Sequence, residues 1–179
     1  MMKKPVMVPV AAIAAAFALL LGLSFALHGV GSARAQSEHE RIMRTILPGS
    51  ESFVVEAYTG EDENIRSIHK AENGYIVETV TMGYAGEIRM MVGVSNEGTV
   101  TGLVVMDMEE TYGLGAKALT DHRFLSQMLN TSGEAEVGTN VDAISGATVT
   151  SKAVVRSVNS AVAFVTGADV GSGATSWGG

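Results

Sequence analysis

One short stretch near the carboxyl end combines hydroxyl and small side chains just before a segment with helical periodicity. From Asp142 to Lys152 it reads DAISGATVTSK. Free backbone N–H groups and the positive end of the helix dipole attract anions at the start of a helix. Gly146 and Ala147 let the backbone approach a ligand closely. The stretch therefore predicts a phosphate site, with three hydroxyls available as donors to phosphate oxygens: Ser145, Thr148 and Thr150.

The same residues also suit an ordinary capped helix that binds nothing. Ser, Thr and Asp are the usual cap residues, and Gly is common in turns. The stretch has neither the Gly-Lys-Ser/Thr spacing of a Walker loop nor the Gly-x-Ser-x-Gly of a nucleophile elbow. Residue types alone leave both interpretations open.

Composition excludes several classes of protein. The 179 residues have a formal net charge of −7 and no cluster of Lys and Arg, which argues against a nucleic-acid partner. Because there is no cysteine, disulfides, thiolate zinc sites and cysteine-ligated iron–sulfur clusters are excluded. The four histidines lack the spacing of metal ligands, so we predict no metal site. No acid–base pair or nucleophile in the sequence indicates catalysis on a substrate.

The elements that must position the loop are strands in the middle of the chain and helices at both ends. Alternating apolar residues predict five strands: Phe53–Ala57, Ile65–His69, Tyr75–Thr81, Ile88–Val94 and Thr99–Met106. Asn96-Glu97-Gly98 predicts a hairpin turn between the last two. Predicted helices are Glu38–Leu47, Thr120–Leu129 (capped by Thr120 or Asp121) and Ser151–Val165. This order predicts an α+β fold with antiparallel sheets flanked by helices.

The amino-terminal stretch predicts one transmembrane helix. Lys3 and Lys4 precede an uncharged apolar run from Val6 to Leu27, and about 20 residues cross a bilayer. The lysines should stay in the cytoplasm, which places the rest of the chain outside. A cleaved signal peptide is the alternative, with an A-x-A site at residues 33–35. The run exceeds the usual signal-peptide core of about 7–15 residues, so we prefer an uncleaved anchor. Both interpretations export the domain.

The pattern Asp-x-x-Ser-Gly-Ala-Thr-x-Thr at residues 142–150 resembles the flavinylation motif of FMN-binding domains. Such domains occur in the G subunit of the Rnf ion-translocating electron-transport complex and in the C subunit of the sodium-pumping NADH:quinone oxidoreductase. The resemblance implies that a flavin transferase moves FMN from FAD onto a threonine hydroxyl, forming a phosphoester, and by position that threonine is Thr148. The motif residues that match around it are Asp142, Ser145, Gly146, Ala147 and Thr150.

Two further segments support the resemblance. Residues 110–117, ETYGLGAK, resemble the family's Glu-Thr-Pro-Gly-Leu-Gly loop, which lies against the flavin. The resemblance implies cofactor contacts from Glu110, Thr111, Leu114 and Gly115. Residues 83–88, GYAGEI, resemble the family's Gly-Tyr-x-Gly segment before a strand. Two departures concern flavin contact: tyrosine at position 112, where the family usually has proline, and methionine at position 108, where histidine is common.

The resemblance also implies an organisation and a function. We expect a cytoplasmic tip and transmembrane anchor at 1–30, a linker and short helix at 31–50, an FMN-binding domain at 51–166 and a flexible tail at 167–179. The chain would be a single-pass cell-membrane protein, with its covalent FMN on the extracytoplasmic side. It would relay electrons between ferredoxin and NAD, coupled to Na⁺ or H⁺ movement, together with other membrane subunits. It would act as a subunit of a translocase and not as a catalyst alone.

Three alternatives stay open. The chain could be a stand-alone exported FMN-binding protein for extracytoplasmic electron transfer, or a non-catalytic exported binding module. The tail offers a second acceptor, because residues 169–175, DVGSGAT, repeat the motif and end at Thr175. We prefer Thr148, since only that copy is followed by Thr150 and by a helix able to receive a phosphate. Ile144 also supplies an apolar anchor where the tail has Gly171.

Overall fold

The computed structural model describes residues 36–110, 115–132 and 135–168. The predicted membrane anchor and the second motif copy in the tail lie outside these residues. Among the described residues, no helix combines the length and apolarity needed to cross a membrane. The chain divides into two units between Arg41 and Ile42. In the described part of the first unit, Arg41 donates to the Glu38 carboxylate at 2.6 Å, and this hydrogen bond lowers the pKa of Glu38.

The second unit contains one five-stranded antiparallel sheet in chain order. Its strands are β1 (Val54–Glu56), β2 (Ile65–Lys70), β3 (Gly74–Met82), β4 (Glu87–Ser95) and β5 (Val100–Met108). The five predicted strands are confirmed, with no end displaced by more than two residues. The predicted hairpin turn is confirmed as well, because Gly98 has a φ of 83° and its N–H donates to the Ser95 carbonyl at 2.9 Å.

Four helices occur in the described residues: α1 (36–46), α2 (Gly115–Thr120), α3 (His122–Ser126) and α4 (Thr148–Thr166). Helix α2 begins inside the segment 110–117 that was predicted as a loop, and it ends at Thr120, where the next helix was predicted to start. Helix α4 begins at Thr148, before its predicted start at Ser151. Helix α3 ends at Ser126, short of the predicted Thr120–Leu129 helix. Over residues 127–129 the N–H groups donate to carbonyls three residues earlier, as in a 3₁₀ turn, and at Asn130 the backbone turns away with a φ of 59°. There Asn130 N–H donates to the Val100 carbonyl at 2.8 Å, and this pairing with β5 replaces further helical bonds.

Helix α4 packs along the face of the sheet formed by β3 and β4. Of its predicted apolar stripe, Val165 is partly buried, and the other members are buried: Val154, Val158, Ala161 and Val162. Burial of a valine side chain stabilises the fold by roughly 1.5–3 kcal/mol. Helix α4, the longest helix of the described residues, is therefore fixed on the sheet by its apolar face.

A second, smaller cluster of buried side chains includes Met43, Ile46 and Leu47.

Buried hydroxyl groups also fix α4 along β3. Thr81 donates its hydroxyl to the Ala153 carbonyl at 3.1 Å and lies 3.0 Å from the Ser157 hydroxyl. Thr81 and Ser157 are buried, so these bonds satisfy polar groups that would otherwise be costly in the core. Together with the apolar stripe, they determine where the first turn of α4 lies.

Candidate functional site

A cavity of about 350 Å³ opens at the amino-terminal end of α4. Its volume is within the range of roughly 300–1,000 Å³ that is usual for small-molecule sites. The lining comes from three segments far apart in the chain: Tyr84 from the β3–β4 turn, Gly115 at the start of α2, and residues 146–150. The hydroxyl-rich loop predicted as an anion site is thus the longest part of the cavity wall.

The first turn of α4 has no side-chain cap. Its N-cap position is Ala147, which makes no side-chain hydrogen bond to the helix. The first N–H groups of a helix have no partners within it, and the helix dipole adds positive charge there. Thr148, the first helical residue, is exposed and lines the cavity. The arrangement is chemically suited to an anion held at the helix start, next to an accessible hydroxyl.

The loop before α4 is fixed by backbone geometry and by one serine. Gly146 has a φ of 80°, a left-handed conformation that glycine adopts without steric cost. The Ser151 hydroxyl accepts from Ile144 N–H at 3.2 Å and donates to the Ala147 carbonyl at 2.9 Å. This role of Ser151 was not predicted, because in the sequence the residue is one more hydroxyl at a helix start.

A side-chain amide fixes the beginning of the motif. Gln127 accepts from the Asp142 N–H at 2.8 Å and donates to the Asp142 carbonyl at 3.2 Å. The Asp142 side chain is exposed. The contact was not predicted, since in the sequence Gln127 is one polar residue within the predicted helix Thr120–Leu129, with no signal of a distant partner.

Glu110 connects two of the cavity segments. One carboxylate oxygen, Oε1, accepts from Tyr84 N–H at 2.6 Å and from the Thr150 hydroxyl at 3.1 Å. Thr150 is fully buried, so its hydroxyl is directed to Glu110 and not to solvent. From the sequence we predicted Thr150 as a donor for phosphate and Glu110 as a cofactor contact, with no indication that the two bond each other.

The structure brings most of the predicted site residues to one place. Those that line the cavity are Gly115, Gly146, Ala147, Thr148 and Thr150. Glu110 is bonded to two lining residues, while Asp142 and Ser145 are exposed on the adjoining loop. Thr111 and Leu114 lie outside the described residues. Tyr84 joins the site as a lining residue, whereas in the sequence it was only part of a family-like segment.

One family model matches the part of the chain that forms the cavity. The family model described as "FMN-binding domain" matches residues 83–163, which include every lining residue of the cavity. A crystal structure of NqrC from Shewanella oneidensis aligns with 70% of this chain and 73% of that chain, at 21% identity and a TM-score of 0.44.

Two relatives are G subunits of ion-translocating complexes. The G subunit of the Na(+)-translocating ferredoxin:NAD(+) oxidoreductase complex of Acetobacterium woodii is 39% identical over 98 residues, covering 50% of this chain and 47% of the relative. The G subunit of the ion-translocating oxidoreductase complex of Methanosarcina acetivorans is 33% identical over 174 residues, covering 89% of this chain and 93% of the relative. The chain therefore belongs to the family of G subunits of Rnf-type ion-translocating oxidoreductase complexes.

Proposed function

We propose that this protein is an electron-transfer flavoprotein subunit that holds FMN covalently, through a phosphoester to Thr148. The observation that supports this most directly is the exposed Thr148 hydroxyl at the uncapped start of α4, beside a cavity of about 350 Å³. The match to the FMN-binding domain model over the same residues points to the same cofactor.

The residues around the cavity are compatible with FMN. The free N–H groups at the start of α4 suit the phosphate, and the bare backbone at Gly146 leaves room for its approach. Tyr84 offers an exposed aromatic side chain to the cavity, suited to cover an apolar ring. When bound, FMN supplies reversible uptake of electrons, while the protein fixes its position and tunes its potential.

Accessibility distinguishes the two threonines of the motif. A separate flavin transferase must reach the acceptor hydroxyl, form its Oγ–phosphorus bond and break the pyrophosphate of FAD, which releases AMP. Thr148 is exposed, whereas Thr150 is fully buried and donates to Glu110. Thr148 is therefore the acceptor that we propose. Thr150 instead stabilises the cavity wall through its hydrogen bond to Glu110.

We also propose the place of the subunit in the cell. The G subunits similar to this chain belong to complexes that move ions, so we expect other membrane subunits as its partners. Residues 1–30 would anchor the chain once through the membrane, and the flavin domain at 51–166 would lie on the extracytoplasmic side. Electrons would pass through this subunit in an Rnf-type ferredoxin:NAD oxidoreductase coupled to ion translocation.

Mass spectrometry of the denatured, trypsin-digested protein tests the attachment. The chain is co-expressed with a flavin transferase, and the mass of FMN is sought on two peptides. Thr148 lies in the peptide Phe124–Lys152, and Thr175 lies in the peptide Ser157–Gly179. We expect FMN on the first peptide, surviving denaturation as only a covalent cofactor does.

Two variants serve as controls for this experiment. Thr148→Ser keeps an acceptor hydroxyl and should still be modified, whereas Thr175→Ala should leave the yield unchanged. FMN found only on the peptide Ser157–Gly179 would move the site to the tail. An unmodified chain beside an active transferase would contradict covalent attachment and favour a module that binds its ligand reversibly.

A further inference from the structure

We propose that Glu110 is a positioning residue, which ties separate walls of the cavity together and places a negative charge beside the cofactor. The inference rests on the proposed function, because it assigns to this chain's own carboxylate a part in holding and tuning the bound FMN. It differs from the contact that the family resemblance implies, since Glu110 here acts through Tyr84 and Thr150.

The tie consists of two hydrogen bonds to the same oxygen atom. Tyr84 N–H donates to Glu110 Oε1 at 2.6 Å, and the Thr150 hydroxyl donates to it at 3.1 Å. Hydrogen bonds to an ionised acceptor are stronger than neutral ones. Glu110 follows β5, Tyr84 lies in the β3–β4 turn and Thr150 lies in the first turn of α4. One carboxylate thus joins three segments that are distant in the sequence.

Two glycines leave the room that this carboxylate occupies. A β-carbon added at Gly83 would collide with Glu110 Oε1, and one added at Gly115 would collide with Oε2. Gly83 precedes the Tyr84 amide, and Gly115 begins α2 and lines the cavity. A side chain at either glycine would push the carboxylate away from its partners. The position of the Glu110 carboxylate therefore depends on both glycines. Through Gly115 the carboxylate also lies against the third cavity segment, the start of α2.

The charge of Glu110 lies beside the cavity, where it would affect the redox potential of a bound cofactor. Tyr84, Gly115 and Thr150 line the cavity, and all three contact or closely approach the carboxylate. A fixed negative charge next to the cavity lining disfavours the addition of electrons to a bound cofactor, because the added charge has the same sign. Glu110 should therefore lower the midpoint potential of the FMN that this chain holds.

Two substitutions separate the tie from the charge. Glu110→Gln keeps an oxygen acceptor of the same shape but removes the charge, whereas Glu110→Ala removes both. Glu87→Gln, at an exposed glutamate that begins β4 after the same turn, makes the same change in net charge as the control. The full chain is co-expressed with a flavin transferase, and the midpoint potential and the yield of covalent flavin are measured.

We expect Glu110→Gln to bind flavin at near wild-type yield with a potential shifted upward, more than Glu87→Gln shifts it. Glu110→Ala should lose most of its covalent flavin, because the wall that faces the helix start is no longer held. A potential in Glu110→Gln that moves no more than in the control would overturn the role of the charge. Full flavin yield in Glu110→Ala would overturn the role of the tie.

Hydrogen exchange on the flavin-free chain tests the tie independently of the cofactor. We expect the Tyr84 amide to exchange about tenfold faster in Glu110→Ala, and to stay close to wild type in Glu110→Gln and Glu87→Gln. If the wild-type chain accepts no covalent flavin, the proposed function fails while this measurement still judges the tie. Unchanged exchange in Glu110→Ala would overturn the tie even in a chain that holds FMN.

Discussion

Two helices of this domain begin in opposite ways. Helix α3, only five residues long, starts at Asp121, whose carboxylate accepts the N–H groups of Arg123 at 2.9 Å and Phe124 at 3.2 Å. Helix α4, 19 residues long, starts at Ala147 with no side-chain cap. The cap of the short helix accepts two of its free N–H groups, whereas the long helix presents its free N–H groups at a cavity.

The difference shows where the fold supplies stability and where it leaves room for a ligand. A five-residue helix gains little from its own hydrogen bonds, so a cap contributes a large share of its stability. Helix α4 is held by its buried apolar face and by Thr81 and Ser157, and it does not depend on a cap. The uncapped start can therefore serve a phosphate. Substitutions at the two helix starts and in the body of α4 test this contrast.

Removal of the Thr148 hydroxyl should have the largest effect. Thr148→Ala should abolish covalent flavin, because no acceptor oxygen remains at the start of α4. Since Thr148 is exposed, the free energy of unfolding of the flavin-free domain should change by less than about 0.5 kcal/mol. Flavin fluorescence of the denatured protein in a gel measures the first quantity, and chemical denaturation measures the second. Covalent flavin that persists in this variant would point to another acceptor, Thr175 in particular.

A substitution in the body of α4 should lower the stability of the fold, which Thr148→Ala should leave almost unchanged. Asn159 accepts from Ala135 N–H at 2.9 Å and donates to the Ala135 carbonyl at 2.8 Å, and both residues are buried. Asn159→Ala leaves two buried backbone groups unpaired and should lower the free energy of unfolding by about 2–4 kcal/mol. Urea denaturation of the flavin-free domain measures the loss.

Gln127→Ala is the matched control for that variant. Gln127 accepts from the N–H and donates to the carbonyl of Asp142, as Asn159 does with Ala135. The two hydrogen bonds of Gln127 are exposed to water. The variant should lose less than about 1 kcal/mol, because solvent replaces the lost partners. Equal losses in the two variants would mean that burial does not make the pairing of Asn159 with Ala135 more stabilising than the exposed pairing of Gln127 with Asp142.

The cap of α3 should matter for stability but not for flavin. Asp121→Ala removes both cap hydrogen bonds and should lower the free energy of unfolding by about 1 kcal/mol. Asp121→Asn keeps an acceptor and should recover most of that loss. Covalent flavin yield should equal that of wild type in both variants. A marked drop in yield would show that the two helix starts are coupled, contrary to their separate roles here.

Sequence periodicity predicted the elements of the fold well because it records local burial. The five strands and the stripe of α4 follow from apolar residues at spacings of two and of three to four. Contacts between segments distant in the chain were not predicted. Thr150 donates a hydrogen bond to Glu110, 40 residues away in the sequence, and Gln127 accepts one from the Asp142 N–H, 15 residues away. No periodic pattern records such pairs.

At the site, too, the sequence indicated local features but not the contacts between distant segments. Small and hydroxyl residues before a helix predicted an anion site, because helix-start chemistry is local, and the structure places this loop in the wall of a cavity. The separate tasks of its hydroxyls depend on the packed fold: Thr148 is exposed, Thr150 is directed to Glu110, and Ser151 fixes the loop through Ile144. Residue types alone do not distinguish these three similar side chains, and only the family resemblance singled out Thr148.

The mildest change should come from giving α4 the kind of cap that α3 has. In Ala147→Ser the new hydroxyl can accept an N–H of the first turn, which should raise the free energy of unfolding of the flavin-free domain by about 0.5–1 kcal/mol. The same bond occupies a donor that the phosphate would otherwise use, so covalent flavin should form more slowly. Stability is measured by urea denaturation, and the rate by a time course with transferase and FAD.

Ala147→Gly, which adds no acceptor, controls for the change at this position. A serine variant that is stabilised yet accepts FMN at the wild-type rate would show that the free N–H groups of α4 do not assist attachment. The contrast between the two helix starts would then be one of stability alone. Slower attachment in the serine variant, with the glycine variant close to wild type, would instead show that the missing cap on α4 serves the cofactor.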